Sequence, residues 1–523
     1  MTIPIIGAYA EIHYTLNGIK AKYYKSVPEI IFDLPVRCIL SKSKTIPLAL
    51  IVKDSHQFPC TIFDIKVSIK YQNCQNYLVK ETLPLQYKQF INKPFYSHLF
   101  EIPVPDSYIN QSIEISVHFK YSTSNTQIHK GINDNYKALP SHSFTCFIST
   151  DPLPFPAGYW KGEPHYHSDY TSDQVEFGAP LYITKRFAMA MGMDWLFVTD
   201  HSYDLDDYPD DYIKNDPDLT KWKQLENECN LLNQKDFRMI QGEEVSIGNH
   251  KNKNIHLLAV GCPFIHGKGD SAEEWFKNRP DYQLKDLPDL LRNNKNGLLI
   301  AAHPFEDVPL SQKITLNRGN WHLKDYIDNK IEFLQGINQN SLFEVLKSIS
   351  KWKTLLLQGH YLYLLAGNDA HGNFQYMKQI KIPFIKLFLS KKQIFARFFT
   401  VFRYTENNPI EGIKSKHLLI SNGPFIDFQL KGLKTYHIGD TVSEAFLTLI
   451  YHIDSMLEFG EISLVKLFIG DIDKKKEICY TNPENHNVLT LPKRGYIRME
   501  CLTQKLAIAI TNPIWINQLE TQK

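Results

Sequence analysis

No stretch of this sequence supplies the roughly 18 apolar residues that a membrane helix needs, so no membrane span is expected. The first residues, MTIPIIGAYAEIHYT, lack a basic segment followed by a long apolar one, which argues against a secretory leader. The eight cysteines, at positions 38, 60, 74, 146, 229, 262, 479 and 501, form no CxxC. Neither a thiolate zinc site nor a redox pair is therefore indicated, and a reduced, cytoplasmic setting is expected. An excess of charge of one sign is also missing. Lys and Arg number 58 against 56 Asp and Glu, a net +2, so no strong nucleic-acid signal is present. No glycine-rich phosphate loop occurs either. What the chain does have is histidine, 20 residues against eight methionines, and several of these recur in short motifs.

A chain of 523 residues exceeds one ordinary domain, and its composition is that of a globular protein with substantial cores. Residues 1–156 read as strands. Alternating or β-branched runs lie at Ile46 to Lys53, Thr61 to Tyr71 and Ile113 to Tyr121, divided by polar turns. An N-terminal β-sandwich-like domain is predicted, ending in the proline-rich DPLPFPAG linker. Strand signals return in residues 409–523, at Phe446 to Ile453, Ile462 to Gly470 and Leu506 to Ile516, and predict a C-terminal β domain.

Between them, residues 157–408 change pattern to strand, loop and helix in repetition. Short apolar runs lead into His165 and recur at WLFVT, RMIQG, LLAVG, LLIAA, IEFLQGI and YLYLLAG. Helical stripes fall between some of them. One follows Pro180 through Leu181, Ile183 and Phe187 to Gly192. Another joins Leu219, Trp222, Leu225, Cys229 and Leu232, and a third joins Leu342, Val345, Leu346, Ile349, Trp352 and Leu356 before Gly359. Alternation of this kind predicts a parallel β/α sheet or barrel with function at the C-terminal strand ends. A further aromatic helix is expected around Phe395, Phe398 and Phe402. The acidic loop SYDLDDYPDDY is expected to be solvated.

The chemistry-bearing residues sit at the edges of these runs. GEPHYHSDYTSD carries His165 and His167, with Asp169 and Asp173 behind them. VTDHS carries Asp200 and His201, QGEE carries Glu243 and Glu244, AAHPF carries His303, and GNDAHG carries Asp369 and His371. A single HxH is a weak signal, but five such motifs in order describe a multi-metal site. Imidazole and carboxylate donors without thiolate suit zinc, manganese or iron.

These motifs, HYHSDYTSD, FVTDHSYD, QGEE, IHLLAVG, AAHPF and AGNDAHG, resemble those of the polymerase-and-histidinol-phosphatase (PHP) superfamily. SNGPF and ITNPIWI resemble its carbaryl-hydrolase-like branch. The resemblance implies a distorted seven-stranded β/α barrel flanked by β-sandwich-like domains, with two or three divalent metal ions. It implies His165, His167, Asp173, His201, Glu244, His256, His303, Asp369 and His371 as metal ligands. Glu244, Asp369 and His371 would also serve catalysis. Three positions have rivals: Asp169 for Asp173, Glu243 for Glu244, and His250 for His256. The implied activity is metal-assisted hydrolysis of a small-molecule ester, first a phosphoester, by hydroxide formed from a bound water whose pKa the metal has lowered to about 7. An amide or carbamate-ester hydrolase and a non-catalytic metal-binding scaffold are the alternatives.

Overall fold

The computed structural model describes residues 27–518 except 74, 76, 124–126, 137–141, 172–177, 210, 268, 271–277, 292–295, 339–340, 377–390 and 404–407. Strands outnumber helices in every part of it. Near the N-terminus, Glu29–Asp33, Thr45–Lys53 and Phe95–Pro103 form one antiparallel sheet. A second, six-stranded sheet is centred on Cys60–Gln72 and Gln111–Thr123. Along Gln111–Thr123, Ile113, Ile115, Val117, Phe119 and Tyr121 are all buried and alternate with more exposed residues. That period of two gives the strand one core face and one outer face, and the core lies between the two sheets.

The predicted distorted seven-stranded β/α barrel is not what the central residues form. One continuous 16-stranded sheet runs through the centre and on into the C-terminal residues. Its path begins at Tyr363–Ala366 and passes through Phe333–Ile337, Leu298–Ala301, Asn254–Val260, Arg238–Gly248, Trp195–Val198 and Tyr159–His167. It continues through Phe399–Arg403 and Leu418–Ser421 to strands between Ile462 and Thr511. Directions are mixed. Arg238–Gly248, Asn254–Val260 and Leu298–Ala301 pair antiparallel, as do Tyr159–His167 and Phe399–Arg403. The physical reason lies in the connections. Parallel neighbours need a crossover, and helices Leu181–Ala190, Thr220–Leu232 and Leu342–Leu356 supply three. Between Gly248 and Asn254 only a short turn intervenes, so the chain doubles back.

The expected helix around Phe395 is likewise absent. The segment turns and then enters strand Phe399–Arg403, so Phe395, Phe398 and Phe402 bury into three different clusters. Leu181–Ala190, by contrast, begins after Pro180 and stops at Gly192, whose φ of +84° suits glycine. In the C-terminal part a four-stranded sheet centred on Phe425–Lys431 and Phe446–Asp454 covers the end of the large sheet over a shared core.

The free side of Tyr363–Ala366 is satisfied by side chains instead of a strand. Asn512 accepts from the Leu364 N–H at 2.7 Å and donates to the Leu364 carbonyl at 2.8 Å. Thr400 Oγ1 accepts from Ala366 N at 2.9 Å and donates to its carbonyl at 2.8 Å. Both side chains are fully buried, so losing either strands backbone groups away from water. Asn512→Ala is expected to cost about 2–4 kcal/mol. Thermal denaturation should show a midpoint several degrees lower, with Asn512→Asp intermediate because it keeps the acceptor.

Candidate metal centre

His165 and His167 end strand Tyr159–His167 and, two apart, point to the same face. Tyr166 points the other way and bonds Thr184. Both histidines are fully buried, with Nε2 atoms 3.1 Å apart. Asp369 Oδ1 lies 3.3 Å from His165 Nε2 and 3.0 Å from His167 Nε2. Glu244 faces them from strand Arg238–Gly248. Its Oε1 is 2.7 Å from His256 Nδ1 and 3.0 Å from His303 Nε2, and its Oε2 is 3.0 Å from His201 Nδ1. The ring of His371 stacks on His167, with centroids 4.0 Å apart.

These residues make three overlapping groups able to hold a cation: His167, His201 and His371; His165, His167, Glu244 and Asp369; and Glu244, His256 and His303. The ligand atoms in each group lie within 4.8 Å of one another. The structure thus brings together eight of the nine expected ligands. Asp173 lies outside the described residues. Asp169 is in none of the groups. Burial, with Glu228 and Asp200 nearby, pushes its carboxyl up to about 8. Glu243 points to the opposite face and accepts from Ser202 Oγ and Ile265 N. His250 sits apart, bonded to Asp325. Asp200 organises the loop after His167 by accepting from Ser168 and Thr171. Nor is the first part of the acidic loop solvated: Asp204, Asp206 and Asp207 are buried, while Tyr208 after them is exposed.

Whether the group fits a cation can be judged from its unsatisfied atoms. His167 Nδ1, His201 Nε2, Glu244 Oε2 and Asp369 Oδ1 are buried without a hydrogen-bond partner. Buried polar atoms in that state are costly, and a cation at the centre satisfies the acceptors among them. Protonation tells the same story. Burial by itself lowers His165, but Glu244 and Asp369 outweigh it and hold the imidazole up at about 9. The two carboxyls stay below their ordinary range despite burial, through the histidines around them. His371, buried and beside His167, is pushed well down and stays neutral. Protons therefore balance the charge that a cation would balance.

Several supporting residues were not predicted. Gln335, inside the apolar run FLQGI, accepts from the His303 N–H at 3.0 Å and donates to the Gly367 carbonyl at 2.9 Å. Those backbone partners orient its amide, so Oε1 faces His165 Nδ1 at 2.8 Å and must receive a proton from it. The Nε2 lone pair of neutral His165 is then aimed at the cluster. Glu163 accepts from the N–H groups of His165, Asn368 and Ala396, and burial raises it to about 7. Asp270 sits behind His256, 3.1 Å from Nε2. A polar residue within a buried apolar strand was the only signal for Gln335 and Glu163. Two ligands also hold left-handed backbone, His303 at φ +30° and Asp369 at +52°, conformations a non-glycine residue keeps only when its surroundings impose them.

A cleft opens on His256, His303 and Asp369. Arg318 lines it, ion-paired to Asp270. His266 bonds Asp206, and His322 begins helix Leu323–Asp328.

No family model and no curated protein matches the chain. Among solved structures, β-glucuronidase from Parabacteroides merdae aligns at 11% identity over 93% of this chain and 63% of its own, with a TM-score of 0.20. A calcium-binding mutant of Bacteroides uniformis β-glucuronidase 2 aligns at 9% identity over 93% and 60%, with a TM-score of 0.21. The chain spans less than two thirds of either enzyme. Superpositions this loose assign it neither an activity nor a detailed fold. No helix among the described residues is long and apolar enough to cross a membrane, and the seven described cysteines are free thiols.

Two outcomes are expected. Raised folded-state values mean the folded chain holds protons that the unfolded chain releases. Metal-free protein should therefore lose stability as pH rises, through Glu163 between about 4.5 and 7 and through His165 between about 6.5 and 9. Melting curves across that range test this, and added zinc or manganese should reverse the trend while releasing protons. Gln335→Leu should weaken metal affinity about 10–100-fold, read by competition with a chromogenic chelator.

Proposed function

We propose that this chain is a metal-dependent hydrolase of small-molecule esters, phosphoesters first. The observation that carries the reading is Glu244, one buried carboxylate shared by two of the three ligand groups and 3.0 Å from His201 of the other, beside an open cleft. The proposal includes kinship with the PHP superfamily at the level of the ligand motifs. His165, His167 and Asp369 would hold one ion, His167, His201 and His371 a second, and Glu244 with His256 and His303 a third. Divalent ions there would polarise the scissile group's oxygen and lower the pKa of water towards neutrality.

The chain's own residues do the rest. Gln335 keeps His165 in the tautomer that presents Nε2. Glu244 balances charge across the groups. His371, neutral, faces the Asp369 carbonyl with Nδ1 at 3.2 Å and must donate there, which leaves its Nε2 lone pair for the cluster. A second reading, hydrolysis of an amide or carbamate ester, is favoured by the cleft's charge. Arg318 is already ion-paired, and Glu306 and Asp307 share the lining.

Purified chain loaded with zinc, manganese or iron should hydrolyse aryl phosphomonoesters, phosphodiesters or aryl carbamates. Glu244→Gln, His165→Ala and Asp369→Ala should each reduce kcat/KM at least about a thousandfold and lower the bound-metal count measured by elemental analysis. Full metal content with no turnover on any of the three substrate classes would leave a metal-binding scaffold and end the hydrolase reading.

A further inference from the structure

The cleft contains two donors that the cluster does not use. Gln312 is 3% exposed and Trp321 is 9% exposed, and both line the cleft. Gln312 Nε2 and Trp321 Nε1 are buried without a hydrogen-bond partner. The rest of the segment is well bonded. Arg318 N donates to the Gln312 carbonyl at 3.2 Å, Asn254 N to the Asn317 carbonyl at 3.0 Å, and Gly319 N to the Asn254 carbonyl at 2.8 Å. A Cβ at Gly319 would come within 2.4 Å of Lys253 Cβ, so this close approach of two chain segments requires glycine. The Trp321 ring stacks on Tyr326 at 5.3 Å, nearly parallel. Two donors on so constrained a segment cannot readily turn away to find acceptors, and native proteins rarely leave such groups unpaired.

The surroundings indicate what kind of acceptor would suit them. Arg318 is committed to Asp270, and Glu306, Asp307 and Asp369 are carboxylates on the same lining. The side-chain cations near the two donors are all committed, Arg318 to Asp270 and Lys347 and Lys351 to Asp307, so none is left to hold an anion at those donors, whereas a neutral oxygen needs none. Pro304, Val308 and Pro309 add apolar surface. We infer that Gln312 and Trp321 form a recognition site for a neutral oxygen acceptor, an amide or ketone carbonyl carried on an apolar body. This site lies beside the metal cluster and is separate from the bond that reacts. The inference deepens the proposed hydrolase and rests on this cleft being the substrate's.

Ligand-observed NMR titration of the zinc-loaded full-length chain would test it, using acetanilide, toluene and benzenesulfonate as probes. Acetanilide should bind at least tenfold more tightly than either of the others. Trp321→Phe keeps an aromatic side chain, though a smaller one, and removes the N–H, and Gln312→Glu keeps the shape and removes the donor. Each should weaken acetanilide about three- to tenfold, as loss of one neutral hydrogen bond does. A preference for benzenesulfonate, no binding of acetanilide, or variants that bind acetanilide like the parent would overturn the site. Selective acetanilide binding without turnover of any ester would instead count against the hydrolase reading and leave the recognition site standing.

Discussion

One buried carboxylate governs the centre of this molecule. Glu244 is 1% exposed and lies within 3.5 Å of five imidazoles, those of His165, His167, His201, His256 and His303. A charge so buried is tolerable only when compensated. The rings can do this in two ways, by holding protons, as His165, His201 and His256 are favoured to do, or by sharing a cation. The same residues are therefore an ion-paired core in one state and a coordination shell in the other. The elements that deliver those rings are scattered along the chain, so any change that moves one strand disturbs the compensation of all.

The second layer makes the arrangement specific. Gln335 serves His165, His303 and Gly367 together, and Glu163 ties the HxH strand to Asn368, next to Asp369. Both link ligand-bearing segments that would otherwise meet only through the cluster. Left-handed backbone at His303 and Asp369 belongs to the same logic, since the neighbours hold conformations those residues would not choose.

The sequence was informative where local rules suffice. Leu181–Ala190, Thr220–Leu232 and Leu342–Leu356 were legible as apolar stripes, two of them with glycine stops. Strands of the N-terminal sheets were legible by alternation. Strand direction was not, because a short buried apolar run reads alike in parallel and antiparallel pairs. The barrel expectation failed at the turn between Gly248 and Asn254, and again where Leu298–Ala301 pairs antiparallel. Ligand residue types were visible as motifs, but the choice between Glu243 and Glu244 depended on which face of a buried strand each occupies. Gln335 and Glu163 were invisible because their partners lie 170 and 205 residues away. Gln312 and Trp321 looked like ordinary helix and loop residues until the cleft gave them a common wall.

The side-chain seal on Tyr363–Ala366 has a consequence for how the protein is made. Leu364 waits for Asn512, 148 residues later in the chain, to satisfy its peptide groups. During synthesis the ligand-bearing strands all emerge first, with the outer side of one strand still unsealed. An exposed strand edge invites pairing with another chain. The outer strand of the centre is therefore complete only once the C-terminal residues have been made.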